Sequence, residues 1–270
     1  MIELTSRARA VFSGALAFFL PFLLMAMLMS MLLACTSPPE HGAVDPLEDS
    51  LRQRAMIDGI AVALAGPMKR RTPEQALLVG LEELYAPLTL AERDFMEAIR
   101  ALPGGDPGRG VVTDLDWVRI EDQRVRSADG ERTMPLQLLP HNVWQAYQSM
   151  SEAMKTDLGR SLVIGSGYRS PANQLFIFVS YMPYHGYSVK KTLPHVSVPG
   201  ASDHNRPERQ GIDFVSQDGV DLRYSDAPAF EALDEYRWLL ENAARFGFVN
   251  DEPSGVSPWH WHFSGERSPP

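Results

Sequence analysis

Between Ser166 and Phe263 the chain carries three clusters of residues that could do chemistry. They are Ser166-Gly167-Tyr168-Arg169-Ser170, Ser202-Asp203-His204 with Gly211-Ile212-Asp213, and Trp259-His260-Trp261-His262-Phe263. Three imidazoles and one carboxylate (His204, His260, His262 and Asp213) match the donor types a catalytic zinc ion uses when one position stays open for water. A strand turns alternate side chains to opposite faces, so Asp213 points away from Ile212 and Phe214 and towards a cleft if those two enter the core. The same alternation puts His260 and His262 on one face and Trp259, Trp261 and Phe263 on the other. A lone histidine beside an apolar strand is more often a hydrogen-bonded core residue than a ligand. Two in alternation, with a His and an Asp flanking a Gly, make the metal reading a real competitor.

The elements that would position these residues follow from pattern. Leu162-Val163-Ile164, Gly211 to Val215 and Pro258 to Ser264 read as strands. Helices are expected from about Val143 to Leu158, closed by Gly159, from Pro171 to Tyr181, and from Ser225 to Phe246, closed by Gly247. The last should turn Phe230, Leu233, Tyr236, Leu240 and Ala243 inward. Asp116 to Val125 and Met134 to Leu138 read as an antiparallel pair around a turn at Ser127 to Gly130, and Pro183 to Gly200 reads as a long loop. Upstream, Leu51 to Ala65, Thr72 to Tyr85 and Thr89 to Leu102 read as three helices, the last two opened by capping boxes. The fold class expected is α+β, a small mostly antiparallel sheet flanked by helices, with an N-terminal helical extension. The expected organisation is a signal segment at 1–35, a linker at 36–50, the extension at 51–105 and the metal-bearing domain at 106–270.

The 270 residues carry 34 acidic and 25 basic side chains, a formal charge of −9, mixed along the chain. No basic run is interleaved with aromatics, so nucleic acid is not an expected partner. Arg7 and Arg9 precede an apolar run from about Val11 to Ala34, the layout of a secretory signal. The run ends in Leu32-Leu33-Ala34-Cys35, which resembles a bacterial lipoprotein signal whose cysteine becomes lipidated. Cys35 is the sole cysteine, so no intramolecular disulfide can form. The alternative is an uncleaved anchor, since an apolar run of about 20 residues can span a bilayer. Both place the rest of the chain in the cell envelope, tethered to a membrane; in a Gram-negative source Thr36 after the cysteine points to the outer membrane.

From Leu138 to Gly265 the chain resembles the bacterial zinc D-alanyl-D-alanine carboxypeptidases and L,D-carboxypeptidases, which share a hedgehog-type fold. The resemblance rests on Ser166 to Ser170 followed by Gln174, on Val198 to His204, and on Pro258-Trp259-His260, in that order. It implies Zn²⁺ held by His204, Asp213 and a third histidine, and a peptidoglycan stem peptide as substrate. It also implies that Ser202 and Gln174 help bind the substrate, and that Arg169 meets the substrate carboxylate or the scissile carbonyl oxygen, a task suited to a bidentate guanidinium. Tyr168 is expected to pack.

Two departures from that pattern matter. The family motif S-x-H-x-x-G-x-A-x-D is two residues shorter between His and Asp than His204 to Asp213; a longer turn absorbs the difference, with Glu208 as a fallback ligand. Relatives also carry E-P-W-H, with the Glu as general base, where this chain has Ser257. A serine hydroxyl does not take a proton from a bound water at neutral pH. The H-x-H form of other branches of the fold suggests His262 as third ligand and His260 as base or hydrogen-bond donor, an imidazole being suited to proton transfer near neutrality; the alternative makes His260 the ligand. Asp251 and Glu252 are more distant carboxylates, and His185 and His195 are expected at the rim. Without a working base the chain would be a non-catalytic, peptidoglycan-binding lipoprotein.

Overall fold

A computed structural model describes residues 46–127, 130–218, 227–251 and 257–265. Cys35, the apolar run before it, the tip of the turn after Ser127 and Glu252 lie outside the described residues. In chain order the elements are α1 (Pro46–Lys69), α2 (Pro73–Leu77), α3 (Leu81–Tyr85), α4 (Leu90–Arg100), β1 (Trp117–Ile120), β2 (Arg124–Ser127), β3 (Gly130–Thr133) and β4 (Gln137–Pro140). They continue with α5 (His141–Leu158), β5 (Leu162–Ser166), α6 (Pro171–Tyr181), α7 (Val189–Thr192), β6 (Gly211–Ser216), α8 (Ala227–Glu231), α9 (Asp234–Asn242), β7 (Phe248–Val249) and β8 (His260–Phe263). No described helix is long and apolar enough to cross a membrane.

The site is built on a four-stranded antiparallel sheet in the order β5-β6-β8-β7. One face is apolar: Ile164, Ile212, Phe214, Trp259, Trp261 and Phe263 pack with Val143, Tyr147, Met150 and Met154 of α5 and with Phe230, Tyr236 and Leu239. Burying such side chains is worth about 1.5–3 kcal/mol each. That face also fixes the register, because a one-residue slip of β6 or β8 would turn every one of these aromatics outward. The expected class is borne out: helices on a small antiparallel sheet.

Several element boundaries differ from expectation. Helix α1 runs through Gly66-Pro67 to Lys69, although Pro67 removes a donor from its last turn. The 72–85 segment is two helices, because Gly80 starts α3 afresh and its N–H donates to Glu83 at 2.9 Å. The helix expected over 225–246 breaks at Leu233, an extended N-cap with Asp234 and Glu235 in the first turn of α9. The break resets the period, so Leu239 is buried and Leu240 exposed. The expected return at 134–138 is instead two ribbons, β2 with β3 and β1 with β4. The 183–200 loop contains α7 and a 3-10 turn.

A second apolar cluster joins Ile57, Ile60, Leu64, Leu84, Met96 and Ile99 of the N-terminal helices to Ala172, Leu175 and Phe178 of α6. Hydrogen bonds bring this packing up to the first motif. The Ser170 amide donates to Leu77 O at 2.8 Å, the Ser170 hydroxyl to Val79 O at 2.7 Å, and Asn173 Nδ2 to Ala76 O at 2.8 Å. Ser170 is also the N-cap of α6, accepting from the Asn173 amide.

A candidate metal centre beside an arginine

The register of the sheet assembles the site. Asp213, in the middle of β6, lies opposite Ser166 on β5 and opposite His260 on β8. The pairing with β5 is irregular between Ile164 and Ser166, where the chain leaves the strand for the Arg169 turn. His204 arrives from a 3-10 turn (Asp203–Asn205) packed against the start of β6. Gly211 permits that approach: a Cβ there would lie 2.9 Å from the His204 backbone nitrogen.

His204, Asp213 and His260 present nitrogen and oxygen atoms within 4.8 Å of one another. His204 Nε2 lies 3.3 Å from Asp213 Oδ2, and His260 Nδ1 lies 2.8 Å from Asp213 Oδ1. The protonation of both rings can be read from their other nitrogens. His204 Nδ1 sits 2.7 Å from Gly167 O, which can only accept, so Nδ1 carries a proton and Nε2, turned to Asp213, is the nitrogen left for a metal. His260 Nε2 faces the Asp203 carboxylate at 3.7 Å, again an acceptor. The two imidazoles therefore turn opposite nitrogens to one carboxylate. Two histidines and an aspartate, with a cleft beside them, fit the three-ligand pattern of a catalytic zinc.

The electrostatics agree. Burial would raise the Asp213 pKa, but His204 and His260 hold its carboxyl well below the usual carboxylate range. Burial, helped by Arg169, lowers the His204 pKa, with Asp213 opposing. Burial alone would lower that of His260 as well, yet the carboxylates of Asp203 and Asp213 raise it to about 9 in the metal-free protein.

His262, expected as the third ligand with His260 as base, is not gathered with the set; the alternative, His260, is. The His262 ring is 4 % exposed and its Nδ1 lies 3.2 Å from Arg209 Nη2. A guanidinium can only donate, so Nδ1 accepts and the neutral ring carries its proton on Nε2. Burial, reinforced by Arg209, lowers its pKa. Nothing in the sequence near His262 signals this contact, because Arg209 comes from the turn before β6.

Arg169 lines the same cleft. Its Nε donates to Gln174 Oε1 at 2.6 Å and its Nη1 to Ser166 Oγ at 2.7 Å. Gln174 in turn donates to Ser197 O at 2.8 Å, so it holds the guanidinium in place. The backbone is pinned too: Arg169 N donates to His204 O at 3.0 Å and Asn205 Nδ2 to Arg169 O at 2.7 Å. Among the described residues no carboxylate lies within ion-pair distance of Arg169. Burial lowers its pKa, with Asp213 opposing.

A cleft of about 600 Å³ contains both groups and is also lined by Ser202, Asp203, Asp251, Ser257, His262 and, at its outer end, Tyr181 and Leu193. Ser257, which the resemblance sets in the place of a general-base glutamate, lines the cleft, and its carbonyl accepts the His260 amide at 2.9 Å. Glu208, the fallback ligand, pairs instead with Arg109 at 3.0 Å and is not part of the cluster. Tyr168 packs, stacked on Trp117 at 4.2 Å. His185 and His195 stack on each other at 4.3 Å, and His195 reaches the cleft wall. Asp203 and Arg209 were passed over in the sequence, although Asp203 directly precedes His204. A comparable cavity of about 640 Å³ between the β2–β3 ribbon and α5 contains none of these residues.

Residues 136–266 match the family model described as VanY, D-alanyl-D-alanine carboxypeptidase. A D-alanyl-D-alanine carboxypeptidase of Enterococcus faecalis is 30% identical over 133 residues, which span 44% of this chain and 45% of that relative, less than half its length. Among solved structures, the LD-carboxypeptidase LdcB is similar at 22% identity and a TM-score of 0.41 over 54% of this chain and 67% of that one. A mutant of the D,D-pentapeptidase VanY from the VanB-type resistance cassette, in complex with Zn(II), is similar at 22% identity and a TM-score of 0.37 over 53% of this chain and 79% of that one. The resemblance read from the motifs is borne out by the family model and by the enterococcal relative.

Proposed function

We propose that this protein is a zinc-dependent peptidase that hydrolyses peptidoglycan stem peptides near their C-terminus, as a D,D- or L,D-carboxypeptidase. The observation that carries the reading is the partly buried His204–Asp213–His260 cluster sharing one cleft with Arg169, a guanidinium that meets no carboxylate among the described residues. The family match over residues 136–266 supplies the class of bond. His204, Asp213 and His260 would hold the ion, through Nε2, a carboxylate oxygen and Nδ1. A zinc ion so held lowers the pKa of its water to roughly 7 and polarises a carbonyl.

The chain's own groups do the rest. Arg169, fixed on its Nε and Nη1 edges by Gln174 and Ser166, leaves Nη2 to bind the terminal carboxylate or the scissile carbonyl oxygen of the peptide. Such a charge-assisted contact in a cleft orients the substrate as well as holding it. Ser202, buried in the cleft wall, lies beside the same space. Tyr181 and Leu193 give the outer end an apolar side.

The reading is tested by the zinc content of the purified chain together with mass spectrometry of its products from defined muropeptides. One zinc and loss of a terminal D-alanine is the expected result; absence of zinc would overturn it. Ser257 favours a second reading, in which the same cleft binds stem peptides without cutting them. One zinc, peptide binding and no product from any stem peptide would select it. In either case we place the protein in the cell envelope, anchored through lipidated Cys35. That placement rests on the signal-like N-terminus, and incorporation of labelled palmitate, abolished in Cys35→Ala, would test it.

A further inference from the structure

The zinc assignment requires that His260, on the last strand and partly exposed to the cleft, give up its proton at Nδ1, 2.8 Å from Asp213 Oδ1, and keep the one at Nε2. A neutral imidazole carries its proton on either nitrogen, and only the Nε2–H form has a lone pair at Nδ1. His204 settles the same choice through the Gly167 carbonyl. Among the described residues no backbone carbonyl does so for His260; the acceptor that faces its Nε2 is the Asp203 carboxylate, in ion-pair range at 3.7 Å. Asp203 is itself directed: Arg209 Nε donates to its Oδ1 at 3.1 Å, leaving Oδ2 turned to the imidazole. Arg209 is anchored further by Asp251 and His262.

We propose that Asp203 is a positioning residue for the metal set: its carboxylate, aimed by Arg209, orients the His260 ring and retains the proton on Nε2 when an ion replaces the proton on Nδ1 beside Asp213. The inference rests on the reading of His204, Asp213 and His260 as zinc ligands. Carboxylates behind a ligating histidine commonly fix its tautomer and ring orientation, and their loss typically lowers metal affinity by about 10–100-fold. The pairing also explains why Asp203 sits next to His204 yet turns away from it: the 3-10 turn sends consecutive side chains to different partners, one to the metal set and one to the ring behind it.

The test is zinc affinity by chelator competition on the detergent-solubilised full chain and its Asp203 variants. Asp203→Asn has the same shape, but its amide must offer a donor either to Arg209 or to Nε2, and both already donate. It should therefore weaken zinc binding by about 10–100-fold, at least as much as the smaller Asp203→Ala, whereas Asp203→Glu keeps an acceptor and should lose less. If Asp203 only filled space, Asn would be neutral and Ala the worse. Zinc affinity of Asp203→Asn within twofold of wild type would overturn the proposal. A second readout needs no variant: nitrogen-15 correlation spectra of the zinc-loaded wild type should show His260 protonated on Nε2, and a proton on Nδ1 would overturn it. A wild-type chain that takes up no zinc would overturn the parent reading, and this one with it.

Discussion

The two walls of the cleft solve opposite problems. On the sheet side, His204, Asp213 and His260 form a charge-balanced group in which each imidazole has an acceptor behind it. On the helix side, Arg169 is held by a hydroxyl, a carboxamide and backbone groups, none of them charged, and meets no carboxylate among the described residues. A cluster whose polar atoms converge on one point suits a metal ion. A cation whose supports are all neutral suits an anion that arrives from solvent. Together they describe a site for something that brings its own negative charge to a metal.

The same contrast extends to what stands behind each wall. Arg169 follows from a turn whose Ser170 is bonded to the carbonyls of Leu77 and Val79, so the N-terminal helices buttress this side directly. The sheet side is buttressed by the aromatic face of β6 and β8. Damage should therefore separate: changes on one wall should remove the metal, and changes on the other should spare it.

The largest effects are expected on the sheet side. His204→Ala and Asp213→Ala should each lose stoichiometric zinc and all turnover together, measured by metal analysis and product formation; a variant with full zinc and full turnover would dissolve the contrast. Arg169→Met comes next, with zinc content unchanged and kcat/KM reduced by about 10²-fold or more, as for a truncated charge pair costing 2–5 kcal/mol. Arg169→Lys should recover little, because a point charge cannot keep both fixed hydrogen bonds and the open edge.

Ser257→Glu sharpens the comparison from the other direction. Restoring a carboxylate beside the metal set should raise kcat, a general base being worth about 10²–10⁴-fold, with zinc affinity little changed. An unchanged kcat would mean that another group already accepts the proton.

A smaller effect is expected from pH. In the metal-free protein the His260 pKa is raised from 6.5 to about 9, so its ion pair with the two carboxylates contributes fully below about 6.5 and is lost as pH rises through about 9. Zinc must displace that proton. Its affinity should climb by up to about tenfold per pH unit over this window, with close to one proton released, measured by calorimetry in buffers of different ionisation enthalpy. The smallest effect is on the helix side: Ser170→Ala should cost about 1–2 kcal/mol of stability through the lost cap and the lost bond to Val79, with zinc retained.

Much of this was legible in the residues. Alternation placed Asp213 opposite the core face of β6, and the same rule set His260 and His262 against Trp259, Trp261 and Phe263. Gly159 and Gly247 marked the ends of their segments, and both adopt positive φ. Legibility failed where a distant contact decides. Leu240 was placed inward because nothing at Leu233 announces an extended N-cap, and the phase of the helix was carried through a break. The proposed choice of His260 over His262 rests on a donor-only Arg209 and an acceptor-only Asp203, from two successive turns about fifty residues upstream. Periodicity cannot distinguish two histidines on one face of one strand; their hydrogen-bond partners can.

The central claim is therefore tested most directly by zinc stoichiometry of His260→Ala and His262→Ala, purified side by side. The account expects His260→Ala to lose its zinc and His262→Ala to keep one per chain. Zinc retained by His260→Ala and lost from His262→Ala would contradict it.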